Sequence, residues 1–135
     1  MNGMTRVAVV TGAGTGIGKA AALALLKEGY AVALAGRRRE PLEQALAGAG
    51  AKAAHGIAVP TNVAEPASVA ALFAATRKAF GRVDVVFNNA GSGGAREPID
   101  EIDAEGWDRT MDLLLRSVAM GVRYAVVTNK FESLA

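Results

Sequence analysis

The chain has 135 residues, of which 51% are hydrophobic and 21% charged, and its formal net charge is +2. This balance is typical of a folded globular protein and excludes a disordered one, and the length predicts a single domain. The basic residues cluster only at Arg37–Arg39, which is too few for a nucleic-acid-binding face. No apolar run reaches the ~18 residues of a membrane span, and there is no cysteine for a disulfide or a thiolate metal site. The start of the chain lacks the apolar core of a signal peptide, so we expect a cytoplasmic protein without nucleic-acid or membrane partners.

The first predicted element is a strand over Arg6–Val10, whose apolar run fits a strand covered on both faces. It leads into the glycine-rich stretch Thr11–Gly18, and an amphipathic helical pattern begins at Ile17. The first N–H groups of a helix have no partner within it, and glycine lets an anion approach them closely. We therefore predict a phosphate-binding turn. The residues expected to bind a cofactor here are Gly12, Gly14, Thr15, Gly16, Ile17 and Gly18.

The spacing of the glycines separates this turn from two better-known ones. A P-loop, G-x-x-x-x-G-K-[ST], fits Gly18 and the lysine after it, but Ala13 and Ala20 occupy positions that need Gly and Ser or Thr. The pattern G-x-G-x-x-G fails because Ile17 stands where the third glycine belongs. What fits is T-G-x-x-x-G-x-G, which resembles the cofactor turn of the short-chain dehydrogenase/reductase family.

The elements that follow alternate between strands and helices. We predict that the first helix ends at Gly29 and is followed by a strand over Ala31–Ala35, a helix over Glu40–Ala47 and a strand over Ala53–Val59. A third helix opens at Glu65-Pro66, with the proline at its first position, runs to about Phe80 and stops at Gly81, and a strand over Val83–Phe87 follows. This alternation predicts an α/β fold, a Rossmann-like doubly wound parallel sheet that is truncated after about four strands. A hydrophobic fourth strand at an open edge indicates that the sheet is incomplete. Together with the family resemblance, this implies that residues 1–135 form one NAD(P)-binding domain, the N-terminal part of a longer reductase.

Two arginines follow the second predicted strand. A dinucleotide site usually has an acidic residue about 20 positions after the glycine turn, where it binds the ribose 2′-hydroxyl. Here the chain has Arg37 and Arg38, and arginine pairs with a 2′-phosphate through charge-assisted hydrogen bonds. We therefore predict NADP(H) as the preferred cofactor over NAD(H). A solvated basic cluster at the start of the second helix is the alternative.

The fourth predicted strand is followed by the sequence Asn-Asn-Ala-Gly at Asn88–Gly91. In a doubly wound sheet this strand lies beside the first, and ligands bind where the winding reverses. We expect Asn89, Ala90 and Gly91 to face the glycine turn. The motif resembles the second signature of the same family, and the resemblance covers roughly residues 5–124.

The resemblance implies a Rossmann-type fold and hydride transfer between NAD(P)(H) and a small carbonyl or alcohol substrate, with a 3-oxoacyl-reductase-like activity as one possibility. It also implies that Asn62 and Val63 lie near the adenine, although the family more often has Asp where Asn62 stands.

The last predicted helix begins with Asp103 as its N-cap. An apolar stripe runs along it: Trp107, Met111, Leu114, Leu115, Val118 and Val122. The corresponding family helix often forms a subunit interface, so the resemblance implies a homo-oligomer through the Asp103–Tyr124 helix, with the stripe partly interface and partly core. The family motif W-D-x-x-x-x-x-N places a catalytic Asn where this chain has Leu114.

The family's catalytic Ser, Tyr and Lys have no counterpart in these residues. Four positions after Tyr30 and Tyr124 stand Leu34 and Thr128, so neither tyrosine forms Tyr-x-x-x-Lys. We interpret Tyr124 and Lys130 as helix-end and tail residues and the lone histidine, His55, as structural, and we assign no catalytic residue and no metal site. Two functions remain open, the cofactor-binding half of an oxidoreductase, inactive by itself, and a non-catalytic nucleotide-binding or dimerising module.

Overall fold

A computed structural model of the chain describes residues 5–130. In this range four parallel strands form one sheet in the order β3-β2-β1-β4, and a helix follows each strand. The strands are β1 Val7–Thr11, β2 Ala31–Gly36, β3 Gly56–Pro60 and β4 Val85–Phe87, and the helices are α1 Gly16–Lys27, α2 Arg39–Ala47, α3 Pro66–Phe80, α4 Ala104–Met111 and α5 Ser117–Lys130. The predicted α/β fold with a doubly wound parallel sheet is confirmed.

The two central strands are buried on both faces, as their apolar sequences require. One core lies between the sheet and the helices α1 and α2, around Leu26 and Leu42. The other lies on the opposite face under α3 and α5, around Leu72 and Phe73. Burying an aliphatic or aromatic side chain of this size contributes about 1.5–3 kcal/mol, so the two layers hold the carboxyl ends of the strands at one fixed edge.

Several helix boundaries follow from local chemistry. Pro66 is the first residue of α3, where its missing N–H costs nothing, and Gly81 ends the helix with a left-handed φ of 84°. Asp103 caps α4, since its Oδ1 accepts a hydrogen bond from the Gly106 N–H at 2.6 Å. These three boundaries confirm the predictions from sequence.

The third strand starts later than predicted. Residues Gly50–His55 form a short 3₁₀ helix, so the prediction that Ala53 begins the strand is wrong. Gly56 pairs with Val32, the second residue of β2, which leaves little partner strand for the residues before it. A Cβ atom on Gly56 would also collide with the side chain of Leu46. His55 is exposed at the end of this 3₁₀ helix.

The fourth strand is also shorter than predicted, since its ladder with β1 begins at Val85, and Val83 before it is hydrogen-bonded to a helix. The Asn129 side chain accepts a hydrogen bond from the Val83 N–H at 3.1 Å and donates one to the Val83 carbonyl. Next to it, the Asp84 N–H donates a hydrogen bond to the Val7 carbonyl at 2.8 Å. The backbone polar groups of Val83 and Asp84 therefore point to opposite sides of the strand. Asn129 therefore stands at the outer edge of the sheet, in the place of a neighbouring strand.

Asp84 ties the beginning of β1 to the beginning of β4. Its carboxylate accepts hydrogen bonds from the Val7 N–H at 2.8 Å and from Arg82, with which it forms an ion pair. Removal from water raises the pKa of Asp84, but the hydrogen bonds from Arg82 and Val7 and the charges of Arg82 and Arg6 outweigh this effect. The pKa therefore lies below the ordinary aspartate value.

The last helix is longer than predicted and contains a wide turn. Residues Asp112–Arg116 form one π-helical turn between α4 and α5, and α5 continues to Lys130. Tyr124 lies inside α5 and packs against the core beneath α3, so its interpretation as a helix-end residue is wrong. Lys130 also lies in α5.

The large apolar residues of this helix lie mainly on its outer face. Exposed fractions include 63% for Leu115 and 53% for Val122. The inward face carries Met120 and Tyr124, which pack against the core, and Gly121, where an added Cβ atom would collide with the side chain of Asn88. The predicted stripe is thus mostly outside the core. Within residues 5–130 no helix combines the length and the apolarity of a membrane span.

Candidate functional site

The glycine turn joins the buried end of β1 to the start of α1. Gly12 and Gly16 have left-handed φ values of 65° and 56°, which glycine adopts without strain. Gly18 is buried below the turn, and a Cβ atom there would collide with the carbonyl oxygen of Gly12. Thr15 caps α1 without a side-chain hydrogen bond, so its hydroxyl does not occupy the N–H groups of the first turn. The turn therefore offers the donors and the close approach that a bound phosphate requires.

A pair of residues fastens this turn to the loop after β4. Thr11 Oγ1 accepts hydrogen bonds from the N–H groups of Asn89 at 3.0 Å and Ala90 at 2.9 Å. The Asn89 side-chain amide donates to the carbonyl oxygens of Thr11 at 3.1 Å and Gly12 at 3.4 Å. The structure thus brings together the two glycine-containing motifs, as their positions after neighbouring strands predict.

A cleft of about 470 Å³ opens above these loops at the carboxyl edge of the sheet. Most of the sequence-predicted cofactor residues line it, namely Gly12, Gly14, Thr15, Arg37, Arg38, Asn62, Val63, Ala90 and Gly91. The other four lie beside it. Gly16 and Ile17 are exposed on the glycine turn, Gly18 is buried beneath the turn, and Asn89 holds the turn from behind.

One wall of the cleft carries the arginines that follow β2. Arg39 is engaged elsewhere, since it lies 3.6 Å from Glu43 and donates to the Ala58 carbonyl at 3.4 Å. Arg37 and Arg38 line the cleft and are exposed, and neither forms an ion pair within the part of the chain that the structure describes. Their guanidinium groups are therefore available to an anionic ligand in the cleft.

The loop after β3 forms the adjacent wall and is held by its own polar groups. Asn62 Oδ1 accepts a hydrogen bond from the Ala64 N–H at 3.1 Å, and Ser68 Oγ accepts one from the Asn62 N–H at 2.9 Å. The Thr61 N–H donates to the Gly36 carbonyl at 2.7 Å. Because its side-chain oxygen closes this turn, Asn62 keeps its amide N–H groups for a ligand.

The opposite wall was not predicted from the sequence. It consists of Ser92 from the loop after β4, and of Arg109, Asp112 and Leu113 from the last helix. The sequence signal that could have found the helical residues is their spacing, which places them one turn apart on the face nearest the Asn-Asn-Ala-Gly motif. This wall adds no net positive charge, since Arg109 lies 3.2 Å from Glu105 and Asp112 is a carboxylate. The positive charge that favours a phosphate-bearing ligand comes from Arg37 and Arg38 across the cleft.

Leu114, which replaces the family's catalytic Asn, lies within the wide turn. Its side chain is close to Gly91, where an added Cβ atom would lie 3.1 Å from the Leu114 methyl group, and it is 41% exposed. A leucine side chain neither accepts nor donates a proton, so the structure places no proton-transferring side chain at this position.

The parallel sheet, the glycine turn at its carboxyl edge and the cleft between the neighbouring loops are the features of the dinucleotide-binding α/β class. The family model for short chain dehydrogenase matches residues 6–130. The chain belongs to this family.

Proteins similar to this chain include dehydrogenases and reductases. The chain is 36% identical over 124 residues to the cyclohexanol dehydrogenase of an Acinetobacter species, strain SE19, covering 90% of this chain and 48% of that protein. L-sorbose reductase from Gluconobacter frateurii, solved with NADPH and L-sorbose, is 34% identical with a TM-score of 0.85, over 92% of this chain and 47% of that one. The 3-ketoacyl-(acyl-carrier-protein) reductase from Brucella melitensis, solved with NADH, is 30% identical with a TM-score of 0.78, and the match covers 87% of this chain and 47% of that one. The chain spans about half the length of the relatives it matches.

Proposed function

We propose that this chain is the NADP(H)-binding portion of a short-chain oxidoreductase that exchanges hydride between a nicotinamide cofactor and a small carbonyl or alcohol substrate. The observation that carries the proposal is the position of Arg37 and Arg38, which line the same cleft as the glycine turn. In this proposal residues 1–135 act as a single cofactor-binding domain.

The residues of the cleft fit such a cofactor. The open N-terminus of α1 and the side-chain-free surface of Gly12 and Gly14 would hold the pyrophosphate. Arg37 and Arg38 would bind the 2′-phosphate. The other predicted residues have two roles, with Asn62 and Val63 beside the adenine and Asn89–Gly91 supporting the turn. We assign Ile17, which is 74% exposed on the turn, to the side of the cofactor that leads toward the nicotinamide.

The preference for NADP(H) over NAD(H) rests on charge. A 2′-phosphate carries negative charge that two arginines without ion-pair partners in the described chain would neutralise, whereas a 2′-hydroxyl gains little from them. The sorbose reductase structure contains NADPH and the Brucella reductase structure contains NADH, so both cofactors occur among relatives of similar identity.

We further propose that these residues alone do not turn over substrate. The bound nicotinamide would supply or accept the hydride, but reduction of a carbonyl also needs a proton donor at the substrate oxygen, which is typically worth ~10²–10⁴ in rate. No tyrosine or lysine lines the cleft among the described residues, and Leu114 has no proton to transfer. Among substrates, the activity of the Brucella relative supports 3-oxoacyl thioesters as one class to test. The cytoplasmic location stays a prediction.

A second candidate is a non-catalytic nucleotide-binding module that dimerises. The same lack of a proton donor favours it, as does the apolar outer face of the last helix, where Leu115, Val122 and Val126 are 50% or more exposed. In both candidates we propose a homo-oligomer formed through the Asp103–Tyr124 helix.

Calorimetric titration with NADPH and NADH tests the proposal directly. We expect tighter binding of NADPH, and we expect Arg37→Ala to reduce that preference by about 1–3 kcal/mol, the range for a hydrogen bond to a charged group. Arg39→Ala is the matched control, because Arg39 is paired with Glu43 and does not line the cleft. Equal affinities in the unchanged protein would refute the cofactor assignment.

An absorbance assay tests the expectation, common to both candidates, that these residues alone do not turn over substrate. NADPH is incubated with ketones, aldehydes and 3-oxoacyl thioesters, using protein whose mass matches the 135 residues. Binding without turnover is the expected result. Sustained turnover would show that a proton donor has been overlooked, and its survival in Tyr124→Phe would exclude Tyr124 as that donor.

A further inference from the structure

One side chain joins two walls of the cleft. Arg116 Nη2 donates a hydrogen bond to the Ala64 carbonyl at 2.7 Å and lies 3.4 Å from the Asp112 carboxylate. Ala64 belongs to the loop after β3, and Asp112 begins the wide turn in the last helix. Both residues line the cleft, although 52 positions separate Arg116 from Ala64 in the sequence.

Within residues 5–130, the other hydrogen bonds of the loop go to its own residues, to Val59 and Gly36 at the ends of β3 and β2, and to Ser68 and Val69 of α3. Asn62 closes the turn onto the Ala64 N–H, and Ser68 at the start of α3 holds the Asn62 N–H. These bonds fix the shape of the loop but not its distance from the helix across the cleft. The bond from Arg116 crosses that distance, so it sets the gap between Asn62 and Val63 on one side and Asp112 and Leu113 on the other.

We propose that Arg116 is a positioning residue for the adenosine half of the cofactor, an inference that rests on the proposed function. The planar guanidinium presents several N–H groups in a fixed fork, so one side chain can bind the Ala64 carbonyl and the Asp112 carboxylate together. Lysine provides a single ammonium on a flexible stem and holds two such partners less rigidly.

The exposure of Arg116 distinguishes a role in positioning the loop from a contribution to the stability of the fold. Its side chain is 46% exposed and that of Asp112 is 37% exposed, and ion pairs of this kind contribute little to the free energy of unfolding. Loops at ligand sites open at a lower free energy than the core does. Loss of Arg116 should therefore leave the fold intact and widen the motion of the loop that would contact the adenine.

The test compares Arg116→Ala and Arg116→Lys with Arg123→Ala as the matched control. Arg123 is an exposed arginine of α5 that lies over the Tyr124 ring, 5.7 Å from its centre, and does not line the cleft. Calorimetry measures the affinity for NADPH and for 2′,5′-ADP, which carries only the adenosine half, and thermal unfolding is measured without ligand. Hydrogen exchange reports the motion of residues 61–65.

We expect Arg116→Ala to weaken both ligands by the same factor, about three- to tenfold for one partly exposed charged hydrogen bond, with an intermediate loss in Arg116→Lys. The unfolding temperature should match that of Arg123→Ala, and hydrogen exchange in residues 61–65 should be faster.

Unchanged affinity in Arg116→Ala, with normal binding by the original protein, would overturn the inference and leave the proposed function standing. A loss accompanied by a lower unfolding temperature than the control, and not reduced in Arg116→Lys, would assign Arg116 a purely structural role and also overturn it. Failure of the original protein to bind either ligand would overturn the proposed function itself.

Discussion

Asn89 donates two hydrogen bonds to Thr11, one from its backbone N–H to the Thr11 hydroxyl oxygen and one from its side-chain amide to the Thr11 carbonyl oxygen. These bonds join the ends of β1 and β4 just beyond the point where the ladder between the two strands stops at Val10 and Phe87. The two motifs that resemble the family's signatures are therefore parts of one hydrogen-bonded unit, and the floor of the cleft is formed before any ligand arrives.

Replacing Thr11 with Val should weaken that unit at almost constant side-chain volume. Thr11 is 5% exposed, and valine would leave the Ala90 N–H without its acceptor and the Asn89 N–H with the Phe87 carbonyl alone, at 2.9 Å. We expect the free energy of unfolding to fall by about 1–3 kcal/mol, the cost of unsatisfied buried groups. Urea denaturation measures the change, with Thr15→Val as the control because the exposed Thr15 hydroxyl makes no capping hydrogen bond. An equal effect in both variants would contradict this account.

Replacing Gly18 with Val should remove cofactor binding and also destabilise the fold. Even a Cβ atom here would collide with the Gly12 carbonyl and lie 2.6 Å from the Asn89 amide, so the turn would have to move. Overpacking in a closed site typically costs about 1–3 kcal/mol. Ala20→Val introduces the same side chain at an exposed position of α1 and should bind NADPH normally. Normal NADPH binding by Gly18→Val would show that the phosphate turn is wrongly assigned.

The ion pair of Asp84 should make part of the stability depend on pH. The pKa of Asp84 is lower in the folded protein than its ordinary value of about 3.9, so the charged carboxylate stabilises the fold above that pH. This contribution should disappear as the pH falls from about 4 through the lower folded pKa. Asp84→Asn should therefore be less stable than the original protein at neutral pH, and the difference should shrink in acid. Denaturation curves at several pH values test this, and a difference that stays constant down to strongly acidic pH would contradict it.

A charge on the outer face of α5 should interrupt self-association. Val122 is 53% exposed between other apolar residues of the last helix, and a glutamate there would have to be desolvated in a helix-to-helix interface. We expect sedimentation to show an oligomer for the original chain and a dissociation constant raised at least about tenfold for Val122→Glu. Ala74→Glu, at an exposed position of α3, adds the same charge away from this face. A monomeric original chain would refute the proposed interface.

The features predicted correctly from sequence are those determined by near neighbours in the chain. The glycine spacing in Thr11–Gly18, the proline that begins α3 and the Asp103 cap each depend on a few consecutive residues. The start of β3 depends instead on how far β2 extends beside it, and an alanine-rich segment such as Ala51–Ala54 has no side-chain periodicity to separate a strand from a 3₁₀ helix.

The residues of the candidate site likewise fall into those that a local motif predicts and those that it does not. The turn, the two arginines and the loop after β4 have motifs, and the structure gathers them around one cleft. The wall formed by Asp112 and Leu113 has none, and the bond between Arg116 and Ala64 joins residues 52 positions apart. Such contacts depend on how the last helix lies across the sheet, which local patterns do not specify. The π-helical turn likewise leaves no mark in the apolar spacing of that helix.

Asn129 limits how the sheet can grow. Its carboxamide is hydrogen-bonded to both the N–H and the carbonyl of Val83. These backbone groups, which face away from β1, therefore cannot pair with a further strand. A strand that added to the open side of β4 would meet free backbone groups only from Val85 onward, unless Asn129 first withdrew. A residue of α5 therefore determines where a further strand can begin to pair with β4.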